Sequence, residues 1–166
     1  MTSTNKPPAG AKPLMMIGPV GAGKSTLIKA LELGGSKAPS ASVKKTEAIT
    51  YYDLAIDTPG EMITIPHFFN ALILNSIRAR LVVFLMDASR PSQLPSRLAL
   101  AMKAPSVGVI NKIDVAAEGG LRKARAALTT AWVKDIFEIS AVTGQGLDEF
   151  KEWITRSRAA GPGAAG

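Results

Sequence analysis

The hydrophobic positions of the chain alternate between short continuous runs and longer segments with helical spacing. The continuous runs have the length and composition of buried strands and comprise residues 14–17, 81–86, 107–110 and 136–139. The longer segments have the length of crossover helices and comprise residues 25–33, 68–77, 94–102, 121–132 and 147–156. This alternation predicts a three-layer α/β domain with a mostly parallel sheet, whose ligand lies at the carboxyl ends of the strands.

The last helical segment shows how these helices are expected to pack. Leu147, Phe150, Trp153 and Ile154 recur at spacings of three and four residues, whereas charged residues occupy most positions between them. We therefore expect one apolar stripe to face the sheet, with Trp153 in the core rather than serving as a ligand platform.

The two ends of the chain lack this pattern. Residues 1–13 contain three prolines among small polar residues, and residues 159–166 are almost entirely Ala, Gly and Pro. Such segments bury too little surface to order themselves. The predicted folded domain therefore covers residues 14–158, between a disordered N-terminal tail and a flexible C-terminal tail.

Composition narrows the functional classes. The 166 residues carry a net charge of +7 and no cysteine, which excludes a disulfide framework, a thiolate metal site and a cysteine nucleophile. A single histidine, His67, argues against zinc. The basic residues are dispersed and aromatic residues are few, so no specific nucleic acid ligand is expected. The apolar runs are too short to cross a membrane and no signal core is present, which predicts a cytoplasmic protein without membrane insertion.

The first motif follows the first predicted strand. Residues 18–25 match G-x-x-x-x-G-K-[ST], the phosphate-binding loop that connects a strand to a helix. The loop's backbone N–H groups cradle phosphate oxygens, Lys24 reaches the β- and γ-phosphates, and the Ser25 hydroxyl binds Mg²⁺. The predicted nucleotide-binding residues of this loop are Gly18, Gly21, Ala22, Gly23, Lys24, Ser25 and Thr26.

A second motif, Asp-Thr-Pro-Gly at residues 57–60, follows a short apolar stretch. The Asp57 carboxylate can hold Mg²⁺ through water. Gly60 has no side chain, so its backbone N–H can approach a terminal phosphate and sense its presence.

Two further motifs point to a guanine base. Asn111, Lys112 and Asp114 form an Asn-Lys-x-Asp element at the end of a predicted strand. Asp114 can accept hydrogen bonds from guanine N1–H and the 2-amino group, for which adenine has no matching donor pair. Lys112 would lay its stem along the base or ribose, and Asn111 would tie this segment to the phosphate loop. Ser140 and Ala141 can supply a backbone N–H to the guanine O6.

These four elements, in this order, resemble the small GTPases of the P-loop class. The segments 17–25, 44–53, 56–61, 70–73 and 138–146 more narrowly resemble the EutP/PduV family of GTPase-like proteins, associated with ethanolamine and propanediol utilisation and bacterial microcompartments. The resemblance implies a P-loop NTPase (Ras-like GTPase) fold, with a six-stranded sheet and a short antiparallel edge strand. It also implies GTP/GDP and Mg²⁺ as cofactors, and a microcompartment shell or its enzymes as partners.

The resemblance assigns further roles residue by residue. Thr46 would be the switch I threonine that closes on Mg²⁺ and the terminal phosphate, while Asp57 and Gly60 would open switch II. Thr46 lies close to Asp57 in sequence, which permits only a short hairpin of residues 47–51 and 54–57.

The predicted catalytic residues are Lys24, Thr46, Gly60 and Glu61. Glu61 stands where many GTPases place a water-orienting glutamine, and an ionised carboxylate accepts hydrogen bonds but cannot donate them. Slow hydrolysis is therefore expected. The alternative role for Glu61 is that of a general base toward the attacking water. His67 is expected at the surface or the core edge, with movement toward the phosphate as its alternative role. No arginine belongs to a motif, which leaves assistance by a partner in trans as an option.

Three functions remain open on the sequence. The first is a GTP-binding switch or accessory factor with slow, Mg²⁺-dependent GTP hydrolysis. The second, which the family resemblance implies, is a phosphotransferase with acetate kinase-like activity that uses ATP or acetyl phosphate. The third is a nucleotide-stabilised adaptor without turnover. The Asn-Lys-x-Asp element favours the first.

Overall fold

The computed structural model describes the backbone of residues 10, 12–32, 50–51 and 55–159, with side chains for all of these except residues 50, 51, 158 and 159. The predictions for Thr46, for Leu33 and for most of the two tails lie outside the described residues, as do parts of the predicted hairpin.

The described strands form one mixed sheet. They are β1 (Leu14–Ile17), β2 (Thr50–Tyr51), β3 (Ala55–Asp57), β4 (Leu81–Asp87), β5 (Ser106–Asn111) and β6 (Ile136–Glu138). The strand order is β2-β3-β1-β4-β5-β6, in which β2 is antiparallel to β3 and every other pair is parallel. The predicted six-stranded sheet with a short antiparallel edge strand is confirmed.

Helices cover both faces of the sheet. They are α1 (Lys24–Glu32), α2 (Phe69–Ser76), α3 (Leu98–Ala101), α4 (Gly120–Thr130) and α5 (Leu147–Ala159). Short 3₁₀ turns occupy Gly60–Ile63, Pro66–Phe68 and Ile113–Val115. No helix among the described residues is long and apolar enough to cross a membrane.

Successive side chains of a strand point to opposite faces of the sheet and pack into two separate cores. Val82, Phe84 and Met86 of β4 pack in one buried cluster with side chains of α2, α3 and α4. Their neighbours Val83 and Leu85 pack in a second cluster with side chains of α1 and α5. This division between the faces of a pleated strand gives the three layers, because each face must bury its apolar side chains under a helix.

The last helix packs as its periodicity predicts. Leu147, Phe150 and Ile154 are buried in the second core. Trp153 is partly buried against the same core, and its ring centre lies 5.4 Å from that of Phe137. The core role of Trp153 is therefore confirmed.

The prediction of a crossover-length helix over residues 94–102 is wrong, since only Leu98–Ala101 is helical. Pro95 disfavours helical backbone in the residue before it, and Arg97 adopts a left-handed φ of 59°. The Arg97 N–H instead donates to the Thr130 carbonyl at the end of α4, at 3.0 Å. This segment is therefore anchored on α4 and does not form a long helix of its own.

Residues 136–139 also differ from the prediction of a strand buried on both faces. Strand β6 ends at Glu138 and lies at the sheet edge, where Ile136 and Phe137 are half-buried and Glu138 is exposed. Arg125 of α4 pairs with the Glu138 carboxylate at 2.5 Å. The run is apolar because Ile136 packs against the first core and Phe137 against the second, although only one strand flanks it.

Candidate nucleotide-binding site

The phosphate loop lies between β1 and α1, where the backbone must turn sharply. Gly21 and Gly23 adopt left-handed φ angles of 78° and 94°, which favour glycine. A Cβ atom on Gly23 would also overlap the side-chain amide of Asn111. The loop therefore depends on glycine both for its conformation and for its contact with β5.

Lys24 opens α1 and reaches back across this loop. Its ammonium donates to the Gly18 and Pro19 carbonyls, each at 2.9 Å. The residue is only 6% exposed, and burial lowers the pKa of Lys24 to about 8 against the attraction of Asp57 and Glu61. A positive charge held in such a place is stabilised by an anion more than by water.

Ser25 and Asp57 bring together two oxygen groups at the base of the loop. The buried Ser25 hydroxyl donates to the Asp57 carboxylate, which ends β3. The next residue, Thr58, donates its hydroxyl to the Met16 carbonyl at 2.7 Å and fixes this strand end to β1. A hydroxyl beside a carboxylate is a donor set that suits Mg²⁺, so the residues present fit the predicted metal.

Gly60 and Glu61 begin the 3₁₀ turn that follows Asp57. Gly60 is buried, and a Cβ on it would overlap the backbone nitrogen of Val20 in the phosphate loop. Glu61 is half-buried, close enough for its charge to act on Lys24. The turn thus places a glycine backbone directly against the phosphate loop, next to the predicted carboxylate.

Asn111 joins two of the predicted motifs. Its amide Nδ2 donates to the Ala22 carbonyl of the phosphate loop at 3.0 Å, and its Oδ1 accepts from the Ala141 N–H at 3.0 Å. Asn111 is 2% exposed, so these hydrogen bonds are shielded from water. The contact with the phosphate loop that the sequence predicted for Asn111 is present.

Lys112 contacts the same loop through its ammonium, which the sequence did not predict. Lys112 adopts a left-handed φ of 63°, and its Nζ lies 2.5 Å from the Gly21 carbonyl. The same Nζ lies 2.7 Å from the carboxylate of Asp87, the last residue of β4. Sequence reasoning missed Asp87, although an acid at the end of a buried parallel strand was a usable signal.

The remaining base-binding candidates lie around Asn111. Asp114 is exposed in the 3₁₀ turn Ile113–Val115, and its carboxylate accepts no hydrogen bond from the described part of the chain. Ser140 is buried, and its N–H donates to the Gln145 carbonyl at 2.9 Å. The Ala141 N–H is engaged by Asn111, so a base oxygen at this position would share that donor.

The other predicted residues take less central places. Ala22 is buried and contributes its carbonyl, and Thr26 is half-buried in the first turn of α1. His67 is exposed in the turn Pro66–Phe68, where its ring makes an edge contact with Phe68. The structure thus places His67 at the surface, one of the two positions expected for it.

The fold and these strand-end motifs define a P-loop GTPase-like domain. The sequence profile of the PduV-EutP family, described as ethanolamine utilisation and propanediol utilisation, matches residues 11–156. The chain belongs to this family.

Two curated relatives match over most of their length. The propanediol utilization protein PduV of Citrobacter freundii is 27% identical over 139 residues, which cover 83% of this chain and 89% of that protein. The probable acetate kinase EutP of Escherichia coli strain K12 is 28% identical over 146 residues, which cover 86% of this chain and 89% of that protein.

Solved structures share the fold at lower identity. The elongation factor SelB of Methanococcus maripaludis, in complex with the GTP analogue GppNHp, superimposes with a TM-score of 0.64 at 21% identity. That match covers 90% of this chain and 34% of the elongation factor. A point variant of Aquifex aeolicus Era bound to GDP and AlF₄⁻ has a TM-score of 0.57 at 23% identity, covering 89% of this chain and 56% of Era.

Proposed function

We propose that this protein binds guanine nucleotides and hydrolyses GTP slowly in a Mg²⁺-dependent reaction. In this role it acts as a nucleotide switch or accessory factor for ethanolamine- or propanediol-type utilisation, in the cytoplasm and in association with a bacterial microcompartment. The family's description and the name of its PduV relative support the pathway. The nucleotide-bound state of the SelB and Era structures supports the ligand class.

The observation that carries the proposal is the double hydrogen bond of Asn111. One buried amide holds the phosphate loop through Ala22 and the segment after β6 through Ala141. The predicted phosphate-binding and base-binding segments therefore lie next to each other, with Asp114 exposed in the turn that follows Asn111. An exposed carboxylate at that place suits the N1–H and 2-amino donors of guanine.

The chain's own groups divide the proposed work. Lys24 supplies a buried positive charge for the β- and γ-phosphates, and Ser25 and Asp57 would hold Mg²⁺. Bound Mg²⁺ would supply charge neutralisation for the phosphates. The Gly60 backbone lies against the phosphate loop, and an ionised Glu61 can accept a hydrogen bond from water but cannot donate one. This last property supports slow hydrolysis.

A second candidate is a phosphotransferase, because the E. coli relative carries the name probable acetate kinase. In that case the γ-phosphoryl group of ATP passes to a carboxylate oxygen of acetate, giving acetyl phosphate and ADP. The third candidate is an adaptor that binds nucleotide without turnover. For the first candidate, an activating partner would supply an arginine in trans to stabilise the transition state.

One turnover experiment separates the three. The protein is incubated with GTP or ATP, with Mg²⁺ or EDTA, and with or without acetate, and both inorganic phosphate and acetyl phosphate are measured. Our proposal predicts slow phosphate release from GTP that requires Mg²⁺ and does not depend on acetate. Acetyl phosphate formed from ATP would replace it with the second candidate, and tight GTP binding without any product would leave the adaptor. Lys24→Ala serves as the control for contaminating activity.

A further inference from the structure

Asp87 is a buried acid that no predicted motif contains. It is the last residue of β4, directly opposite Asn111 in the parallel register with β5, and it is 6% exposed. The neighbouring Ala88 N–H donates to the Asn111 carbonyl at 2.9 Å. The acid therefore lies on the same rung of the sheet as the residue that joins the two halves of the proposed site.

The two oxygens of Asp87 face different parts of the protein. Oδ1 accepts from the Ser89 N–H at 2.7 Å, from the Ser89 hydroxyl at 2.5 Å and from the Arg90 N–H at 3.3 Å. Oδ2 accepts from the Lys112 ammonium at 2.7 Å. Donors on one side thus hold the carboxylate in place, and its other oxygen holds the lysine.

The carboxylate carries its charge at neutral pH. Burial opposes ionisation, but the hydrogen bonds from Lys112 and Ser89 outweigh that penalty and keep the pKa of Asp87 below its ordinary value. The contact with Lys112 is therefore an ion pair between a buried acid and a side chain that is 32% exposed.

The other end of the pair contacts the phosphate loop. The Lys112 ammonium donates to the Gly21 carbonyl at 2.5 Å as well as to Asp87, so the lysine stem is stretched between β5 and that loop. A lysine stem is long and flexible, and one hydrogen bond to an exposed carbonyl fixes it poorly. A second, charged acceptor restricts the ammonium to one place.

We propose that Asp87 is a positioning residue of the nucleotide site, which sets the conformation of Lys112 and through it the contact between the base-binding segment and the phosphate loop. This inference rests on the proposed function, because it assigns Asp87 to guanine-nucleotide binding. Without the acid, Lys112 has to be ordered when nucleotide binds, which lowers affinity for GDP and GTP alike.

The substitution Asp87→Asn tests this role at nearly constant shape. In this variant the amide oxygen keeps the place of Oδ1, because Ser89 and Arg90 donate three hydrogen bonds to it. The amide nitrogen then takes the place of Oδ2 and faces the Lys112 ammonium, and since both groups are donors, no hydrogen bond forms between them. Calorimetric titration of the nucleotide-free, full-length protein with GDP and Mg²⁺ should then show a Kd raised about tenfold. The matched control is Ser89→Ala, which removes a donor from Oδ1 and leaves the lysine contact intact.

A double-mutant cycle distinguishes positioning from general damage. If Asp87 acts through the lysine, Asp87→Asn in a Lys112→Met background should change the Kd by less than about twofold. Additive effects, or an equal loss of affinity in Ser89→Ala, would overturn the inference. Unchanged affinity in Asp87→Asn would also overturn it while leaving the proposed function intact, because the wild-type protein then binds GDP. If the wild-type protein binds no guanine nucleotide, both the inference on Asp87 and the proposed function are wrong.

Discussion

If the buried Lys24 binds the phosphates as proposed, nucleotide affinity should depend on pH in a direction that follows from its lowered pKa. The pKa of Lys24 is lowered to about 8 by burial. Phosphate oxygens favour its charged form, so nucleotide binding raises that pKa and takes up a proton when the solution is more alkaline than about pH 8. Affinity should therefore fall as the pH rises through this value and level off below about pH 7.

The size of the effect follows from the fraction of protein that carries a protonated lysine before binding. With a pKa of about 8, that fraction is about nine-tenths at pH 7 and about one-quarter at pH 8.5. The Kd for GDP should consequently rise about fourfold between these two conditions, a change of about 0.8 kcal/mol.

The assay is calorimetric titration of nucleotide-free protein with GDP and Mg²⁺ at both pH values, in two buffers of different ionisation enthalpy so that proton uptake is counted directly. Lys24→Met is the matched control, because it keeps the titration of the nucleotide and removes that of the lysine. Equal pH dependence in the two proteins, or no proton uptake by the wild type at the alkaline condition, would refute the assignment of Lys24 to the phosphates.

Three further substitutions, the last with a control variant, test the bridging side chain, the proposed mechanism and the core. Asn111→Ala leaves two buried partners without their hydrogen bonds and should destabilise the protein by about 2 kcal/mol in urea unfolding, with weaker GDP binding; unchanged values for both would contradict the bridging role. Glu61→Gln should change the GTP hydrolysis rate and leave GTP affinity nearly unaltered, and an unchanged single-turnover rate would remove Glu61 from the mechanism. Phe150→Ala empties a fully buried site of the second core and should cost about 3 to 5 kcal/mol of unfolding free energy, whereas Val142→Ala, at an exposed site, should cost less than about 1 kcal/mol.

Periodicity in the sequence predicted the elements whose packing is decided locally. The apolar stripe of α5 and the continuous run of β4 both form where the pattern predicts them. Each contributes several buried side chains to a core, and that burial stabilises the predicted element. The segment 94–102 has similar hydrophobicity, but its proline and the hydrogen bond from Arg97 to the end of α4 prevent a long helix. That contact is between distant residues, and no local pattern predicts it.

The candidate site divides in the same way. Motif residues such as Lys24 and Asn111 were predictable because a phosphate and a guanine base demand particular groups at particular strand ends. The end of the buried strand β4 marks Asp87 as a candidate, but its pairing with Lys112 was not predictable, because the pairing depends on the register that sets β4 beside β5 and on the direction of the Lys112 side chain. The partner of a single acid after an apolar run can be assigned only when the neighbouring strand and its register are known.

Selection of guanine by the proposed site is tested most directly by a titration of nucleotide-free protein with GTP, GDP and ATP in the presence of Mg²⁺, run beside Asp114→Ala. We expect both guanine nucleotides to bind at least about tenfold more tightly than ATP, a difference of about 1.4 kcal/mol, and the variant to lose this preference. Equal or tighter binding of ATP by the wild-type protein would contradict it and would favour the phosphotransferase.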